Sequence, residues 1–428
     1  MTGTWSVDRA ARLHTPAVTG FPVAERDSAE GSCVYVADEL IATVDAVSCL
    51  PGLVSPDFLD ITPTDAWASG LRLRVFRYSG SEPLLDLIDS LRDQARANAP
   101  GLGINPSACD VAPNHVFSGE IYIYHGGPAG PPQPPAAPWD PSTSPSSWGS
   151  GAPFVVVLDT GLVTETPLGL AAKVQHAPTD EDVQHMPGTQ AAELAAEAGH
   201  GTFIAAVIER MAHGGVSQSS VKVLNPDGFG KETTIVDALI QVQEHPAGVG
   251  VVNMSLGAYS HCDRPPLAMW KAIAALPPGI VVVAAAGNNG LAHRPYWPAA
   301  LKRVVAVASV RDGQFGIEAS DFSNSGAWVD VCTQGEDILG VYGYGTFPDP
   351  TTPTPFEGWA RWSGTSFAAP LVTAEIARRA LAAAPMPAAE VWRRWKEHLT
   401  AASDENPDLE MFGLHWDARA SGIDPTQP

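Results

Sequence analysis

FVVVLDTGL, residues 154–162, decides how the chain is read. Five apolar residues run without a polar interruption and stop at Asp159 and Gly161. A half-buried strand would alternate apolar and polar positions. A short uninterrupted run points instead to a strand covered on both faces. VKVL (221–224), VVNMSL (251–256), IVVVAAA (280–286) and VVAVAS (304–309) have the same character. Helical periodicity falls between them, near 202–211, 233–245 and 266–276. Strands alternating with helices predict an α/β fold: a parallel sheet with helices on both faces. In such sheets functional groups collect at the carboxyl ends of the strands, where Asp159 lies.

Working outward, residues 127–152 (GPAGPPQPPAAPWDPSTSPSSWGSGA) are rich in Pro, Ser and Gly and read as a linker. They separate a catalytic-sized module, 153–403, from a smaller α+β module, 33–126. Residues 1–32 read as an N-terminal extension and 404–428 as a C-terminal tail. In the small module LRLRVFRY (71–78) alternates like a half-buried strand. Ser81 is placed to cap a helix with Pro83 in its first turn, and Leu84, Leu87, Ile88, Leu91 and Ala95 share one face of it. CVYVADELIATV (33–44) and HVFSGEIYIY (115–124) read as further strands. The leucine stripe is core, and no catalytic constellation shows in this module.

The 428 residues carry a net charge of −22, with 45% hydrophobic residues. An acidic surface repels nucleic acids and anionic membranes, so the expected partner is a protein, a peptide or a small molecule. No apolar run reaches the roughly 18 residues of a membrane helix. Met1–Pro16 has neither the basic cluster nor the apolar core of a secretory leader. The expected location is therefore cytoplasmic. Cys33, Cys49, Cys109, Cys262 and Cys332 are scattered and form no C-x-x-C pair. Free thiols are expected, with a single bridge such as Cys33–Cys49 left open. No cofactor is implied.

Three polar residues stand where chemistry is done. Asp159 ends a buried strand, His200 opens a helix in GHGTFIAAVIERM (199–211), and Ser366 opens another in SGTSFAAPLVTAEIARRAL (363–381). A serine hydroxyl needs a neighbouring base, and the base needs an acid that orients it. Ser366, His200 and Asp159 supply these roles. A helix N-terminus beneath Ser366 would also favour a developing oxyanion. Asn288, in the glycine-flanked AAAGNNG (284–290), is placed to donate its amide to the same oxyanion.

Taken together, D-T-G, H-G-T, the Asn288 turn and G-T-S-x-A-x-P, in the order Asp, His, Ser, resemble the subtilisin-like serine proteases, or subtilases. The resemblance covers about residues 151–400. It implies an endopeptidase that works through an acyl-enzyme. It also implies that Ser255, Leu256 and Gly257 pair with an extended peptide, and that Ala284 to Gly287, with Ala286 and Gly287 foremost, line the pocket before the scissile bond. The small module resembles a propeptide that plugs the cleft, so the chain is expected to be a zymogen with its own N-terminal domain as inhibitor. Its segment near Tyr122–Gly127 would lie along Ser255 to Gly257.

Some positions depart from the family pattern. Phe203 stands where a second His is common, and Leu371–Ala374 replace His-Val-Ala-Gly. The loop 210–220 lacks Asn, Asp and Glu, which argues against the calcium site often found there and leaves calcium only at an unidentified site. Residues 341–362, aromatic and Pro-rich, read either as a substrate-contacting loop or as a surface hairpin. His176, His185, His213, His245, His261 and His293 read as ordinary polar residues, and the acidic stretch 180–197 as a solvated loop and helix face. A catalytically silent peptide-binding relative is a competing class. An esterase would need a G-x-S-x-G elbow and the order Ser, Asp, His, and the acid-acting relatives carry Glu in place of His200.

Overall fold

The computed structural model describes residues 19–26, 32–119, 132–135, 154–172, 174–182, 193–314, 316–347 and 353–427. Strands β1 (Val23–Arg26), β2 (Cys33–Thr43), β3 (Phe58–Asp60), β4 (Leu73–Tyr78) and β5 (Val111–Ser118) build the N-terminal module with helices α1 (Val44–Cys49) and α2 (Leu84–Asn98). Their sheet is antiparallel, in the order β3-β4-β2-β5, with β1 on β2. Helix α2 starts at Leu84 behind Pro83 with no side-chain cap, so Ser81 lies outside it. Leu84, Leu87, Ile88, Leu91 and Ala95 are buried, as their spacing predicts.

The larger module holds β6 (Val155–Asp159), α3 (His200–Met211), β7 (Gln218–Lys222), β8 (Phe229–Lys231), α4 (Glu232–Glu244), β9 (Val251–Met254), α5 (Leu267–Ala275), β10 (Val281–Ala285), β11 (Val304–Gly313), β12 (Gly316–Ala319), β13 (Val331–Gln334), β14 (Ile338–Phe347), β15 (Thr354–Trp362), α6 (Thr365–Ala382), α7 (Ala388–Lys396), β16 (Thr400–Ala401) and β17 (Leu414–His415). The main sheet runs β16-β17-β13-β11-β10-β9-β6-β7. All its neighbours are parallel except β16, and β12 pairs antiparallel on β11. Residues beyond 403, read from the sequence as a tail, supply β17 at this sheet.

The uninterrupted apolar run of β6 has its reason in the layers. Val155 and Val157 enter one core with α3 and α6, while Val156 and Leu158 enter the opposite core with α4 and α5. Successive strand residues face opposite ways, and here both directions are covered. Of residues 341–362, those described lie in β14 and β15, which pair antiparallel and bury Tyr342 and Trp362 in the first core. Phe203 explains its departure from the family pattern. It packs on Trp362 and Phe367, with centroids 5.7 and 4.9 Å apart, so an aromatic layer replaces the expected second His.

The two modules meet along one continuous surface. Strand β8 of the larger module extends the N-terminal sheet by pairing with β5. Trp67 is fully buried among residues of α4 and α5, and its indole donates to Asp237 at 2.6 Å. Polar contacts cross the same surface: the ion pairs Lys231–Glu39 at 3.2 Å and Arg264–Asp110 at 3.0 Å, and the His115 and His261 rings at 3.0 Å from Glu232 and 3.1 Å from Asp89. His261 is thus a buried interface residue, and burial pulls its pKa down. Cys49 lies beside Cys109, 3.7 Å away, instead of Cys33. Burial pushes the Cys109 thiol up to about 11.

Candidate active site

Asp159 and Thr160 leave the carboxyl end of β6, and His200 opens α3. Gly199, at φ +79°, makes the turn into that helix. His200 Nδ1 lies 2.7 Å from Asp159 Oδ1, and both side chains are fully buried. The two motifs are tied by Thr160. Its hydroxyl accepts from Gly201 N at 3.0 Å and donates to Asp182 at 3.0 Å, and Asp182 also accepts from Gly199 N at 2.7 Å. Thr202 accepts from Val163 N at 2.8 Å, which closes the second turn of the junction. Asp182 belongs to the stretch read as solvated. It is buried instead, and burial raises its pKa to about 6, with the nearby Asp159 adding to the rise. An acidic run in sequence cannot reveal which carboxylate turns inward.

Ser366 sits in the first turn of α6, almost fully buried. The next residue, Phe367, packs edge-on to the His200 ring at 5.4 Å, and Trp362 flanks the same ring at 5.5 Å. The start of α6 is fastened to β9: Ser255 Oγ donates to the Ser366 carbonyl at 2.8 Å and accepts from Asn253 at 3.0 Å. Ser366 Oγ lies 3.3 Å from each of two carbonyl oxygens, those of Ser255 and Gly119, either of which can accept its single proton. The structure therefore pairs Asp159 with His200 and sets Phe367, the residue after Ser366, against the His200 ring, with a carbonyl of the N-terminal module beside the Ser366 hydroxyl.

Asn288 lies in the turn after β10. Its Oδ1 accepts from Thr365 N and Thr365 Oγ1, both at 2.8 Å. With the oxygen so engaged, the amide nitrogen points toward Gly364, next to the start of α6. Gly287 has φ +104°, and a Cβ there would fall on the Asn324 amide. Asn324 holds the whole turn, accepting from Asn289 N and Leu291 N and donating to the Ala286 carbonyl. Thr365 and Asn324 were not singled out from the sequence, because neither lies in a motif whose chemistry needs it.

Of the residues expected to take a peptide strand, Gly257 does so here. Its N–H and carbonyl pair with Ser118, both at 2.9 Å. Leu256 turns into the core and Ser255 toward α6. Ala286 is also fully buried, in a small cluster under the sheet with Ala308 and Cys332. The strand segment in the cleft is Ser118–Gly119, several residues earlier than expected. The expected stretch Tyr122–Gly127 lies outside the described residues. Gly119 N–H donates to the Gly228 carbonyl at 3.1 Å, so the segment is held from both sides, by Gly228 and by Gly257. Gly228 and Glu197, which touch it, were missed by the sequence reading. Glu197 was assigned to a solvated face but is fully buried. Among the described residues no group of three or more His, Cys, Asp or Glu is placed to hold a metal ion.

The Subtilase family model matches residues 150–413, more than half of the chain. The thermophilic serine proteinase of Bacillus sp. (strain AK1) is 34% identical over 232 residues, 52% of this chain and 51% of that protein. Subtilisin BL of Lederbergia lenta is 30% identical over 238 residues, 54% of this chain and 76% of that protein. The match to the first of these spans only about half of that relative's length. Fervidolysin from Fervidobacterium pennivorans, a keratinolytic enzyme related to subtilisin, is similar in fold, with a TM-score of 0.58 at 17% identity over 92% of this chain and 62% of that one. By the extent of the family match, and with its motifs gathered at one cleft, the chain belongs to the subtilase family.

Proposed function

We propose that the chain is a serine endopeptidase made as a zymogen, with Ser366 as nucleophile, His200 as base and Asp159 as its orienting acid. Asp159 on Nδ1 leaves Nε2 as the nitrogen that receives the serine proton, and it steadies the imidazolium that follows. The oxyanion of the tetrahedral intermediate is stabilised by the Asn288 amide, whose other end Thr365 fixes, and by the N-terminus of α6. Peptide substrates join as an added strand between Gly228 and Gly257. The N-terminal module is its intramolecular inhibitor. The observation that carries this reading is the segment Ser118–Gly119, laid antiparallel on Gly257 with its last carbonyl 3.3 Å from Ser366 Oγ.

The reading is tested by intact mass and N-terminal sequencing of the purified full chain. The wild-type chain is expected to be cut at a peptide bond flanking Glu120, and Ser366→Ala to remain whole. A wild-type chain that stays intact and hydrolyses no peptide, or a Ser366→Ala chain that is cut at the same place, overturns it.

A further inference from the structure

Glu197 is an unusual wall for a peptide-binding cleft. Its carboxylate lies between two glycines: Gly119 of the docked segment and Gly228 of the cleft. A Cβ built on Gly119 would fall on Glu197 Oε2, and one built on Gly228 would fall on the same carboxylate. Gly119 and Gly228 are themselves joined by the hydrogen bond from Gly119 N to the Gly228 carbonyl, 3.1 Å. The carboxylate is thus wedged in a gap that exists because neither neighbour has a side chain.

A long flexible side chain usually swings aside for one extra methyl group. This one has little room to do so. Glu197 is fully buried. Its backbone is pinned, with its N–H on the Pro226 carbonyl at 3.0 Å and its own carbonyl accepting from His200 N at 3.1 Å. The wall behind it is stiff as well. Gly228 has φ +81°, a conformation that favours glycine, and its turn is tied by Asn225, whose side chain accepts from Asp227 N and Phe229 N. A Cβ on the bound peptide therefore meets a buried carboxylate on a side chain whose backbone is held at both ends, and overpacking of this kind is costly.

We propose that Glu197 is the specificity-determining residue of this cleft, and that it restricts the substrates to peptides and protein segments with glycine at the position Gly119 occupies. The proposal rests on the peptidase reading above. The subsite excludes side chains by shape, and its buried carboxylate further disfavours acidic ones. Gly119 in the chain's own segment is then the residue that lets this segment dock, and cleavage sites in other proteins share it.

The experiment has two arms. In the first, peptides copying residues 114–124 carry Gly, Ala, Val or Lys at position 119 and are offered to the self-processed wild-type enzyme. kcat/KM is expected to fall about tenfold or more from Gly to Ala, and further for Val. Glu197→Ala is expected to bring Ala within about threefold of Gly, while Glu197→Gln, of the same shape, keeps the discrimination. Equal cleavage of Gly and Ala peptides by the wild type overturns the proposal. So does a preference for Lys, which would make the carboxylate a charge partner. The second arm needs no activity. In full-length Ser366→Ala protein, Gly119→Val is expected to lower the melting temperature, and Glu197→Ala to restore most of the loss. An undiminished loss in the Glu197→Ala background overturns the steric role. If no peptide is cleaved by any variant, the peptidase reading fails, and the melting cycle still decides the role of Glu197.

Discussion

The sheet of the larger module and the sheet of the N-terminal module are covered in different ways. The first has helices of its own on both faces, with Val155 and Val157 facing α3 and α6 and Val156 and Leu158 facing α4 and α5. The second has its own helices on one face only. Leu40, Ala42, Phe76 and Val111 pack with α2, but Ile41, Leu73, Val75 and Ala112 share the core of α4 and α5, which belong to the other module. One module completes its core alone, and the other completes it only by docking. A module built this way is held by a whole face of its sheet while docked, and it loses that face of its core on release.

The comparison can be broken at the chemistry. His200→Ala is expected to lower kcat for peptide hydrolysis on the order of 10⁴- to 10⁶-fold, the size of loss established for subtilisin's own triad. Circular dichroism and melting should show the sheet intact, since its core lies in the apolar layers. A variant that keeps more than a few per cent of activity would remove His200 from its role.

The docking side is tested next. Trp67→Ala deletes the largest side chain that the N-terminal module buries against α4 and α5, and it strips Asp237 of its indole partner. A loss of about 3–5 kcal/mol is expected, read as a lower melting temperature in the Ser366→Ala background. Asp237→Asn, which keeps the packing, should cost far less. Equal losses would mean that the hydrogen bond, and not burial, holds the modules together.

Asn288→Ala sharpens the catalytic side. A fall in kcat of about 10²- to 10³-fold with little change in KM is expected, again the size seen in subtilisin, because the amide meets a charge that exists only in the transition state. A change confined to KM would place Asn288 in substrate binding.

The smallest effect concerns Asp182. Its carboxyl titrates near pH 6 in the fold against an ordinary value of 3.8. The folded state therefore binds this proton more tightly than the unfolded chain does. The contribution is fully present below about pH 4 and is lost as pH rises through about 6. Asp182→Asn should flatten the decline in melting temperature across that window. An unchanged pH profile would show that Asp182 is ionised throughout.

Much of the candidate site was legible because its proposed chemistry constrains residue types locally. Asp159 ends an apolar run, His200 and Ser366 open helices, and Asn288 needs a glycine-flanked turn. Each mark is written within a few residues. Glu197 and Asp182 carry no such mark. Both sit in an acidic stretch indistinguishable from a solvated one, and both are buried in the fold, Glu197 in the turn into α3 and Asp182 hydrogen-bonded to Gly199 of the same turn. Cys49 and Cys109 show the same limit, since 60 residues separate thiols that the fold places side by side. Ser81 misled for a local reason, as Pro83 sets the helix start without needing a side-chain cap.

The sequence by itself determined the α/β architecture and the family, and it singled out Asp159, His200, Ser366 and Asn288 as the candidate site. These depend on periodicity and on short-range chemistry, which the order of residues states directly. Tertiary structure alone decided which segment occupies the cleft, that β8 completes the N-terminal sheet, and that Glu197 stands between two glycines. Those facts follow from register and packing between elements far apart in the chain. Shifting a strand by one residue turns every side chain to the other face, and only the assembled surfaces choose among such registers.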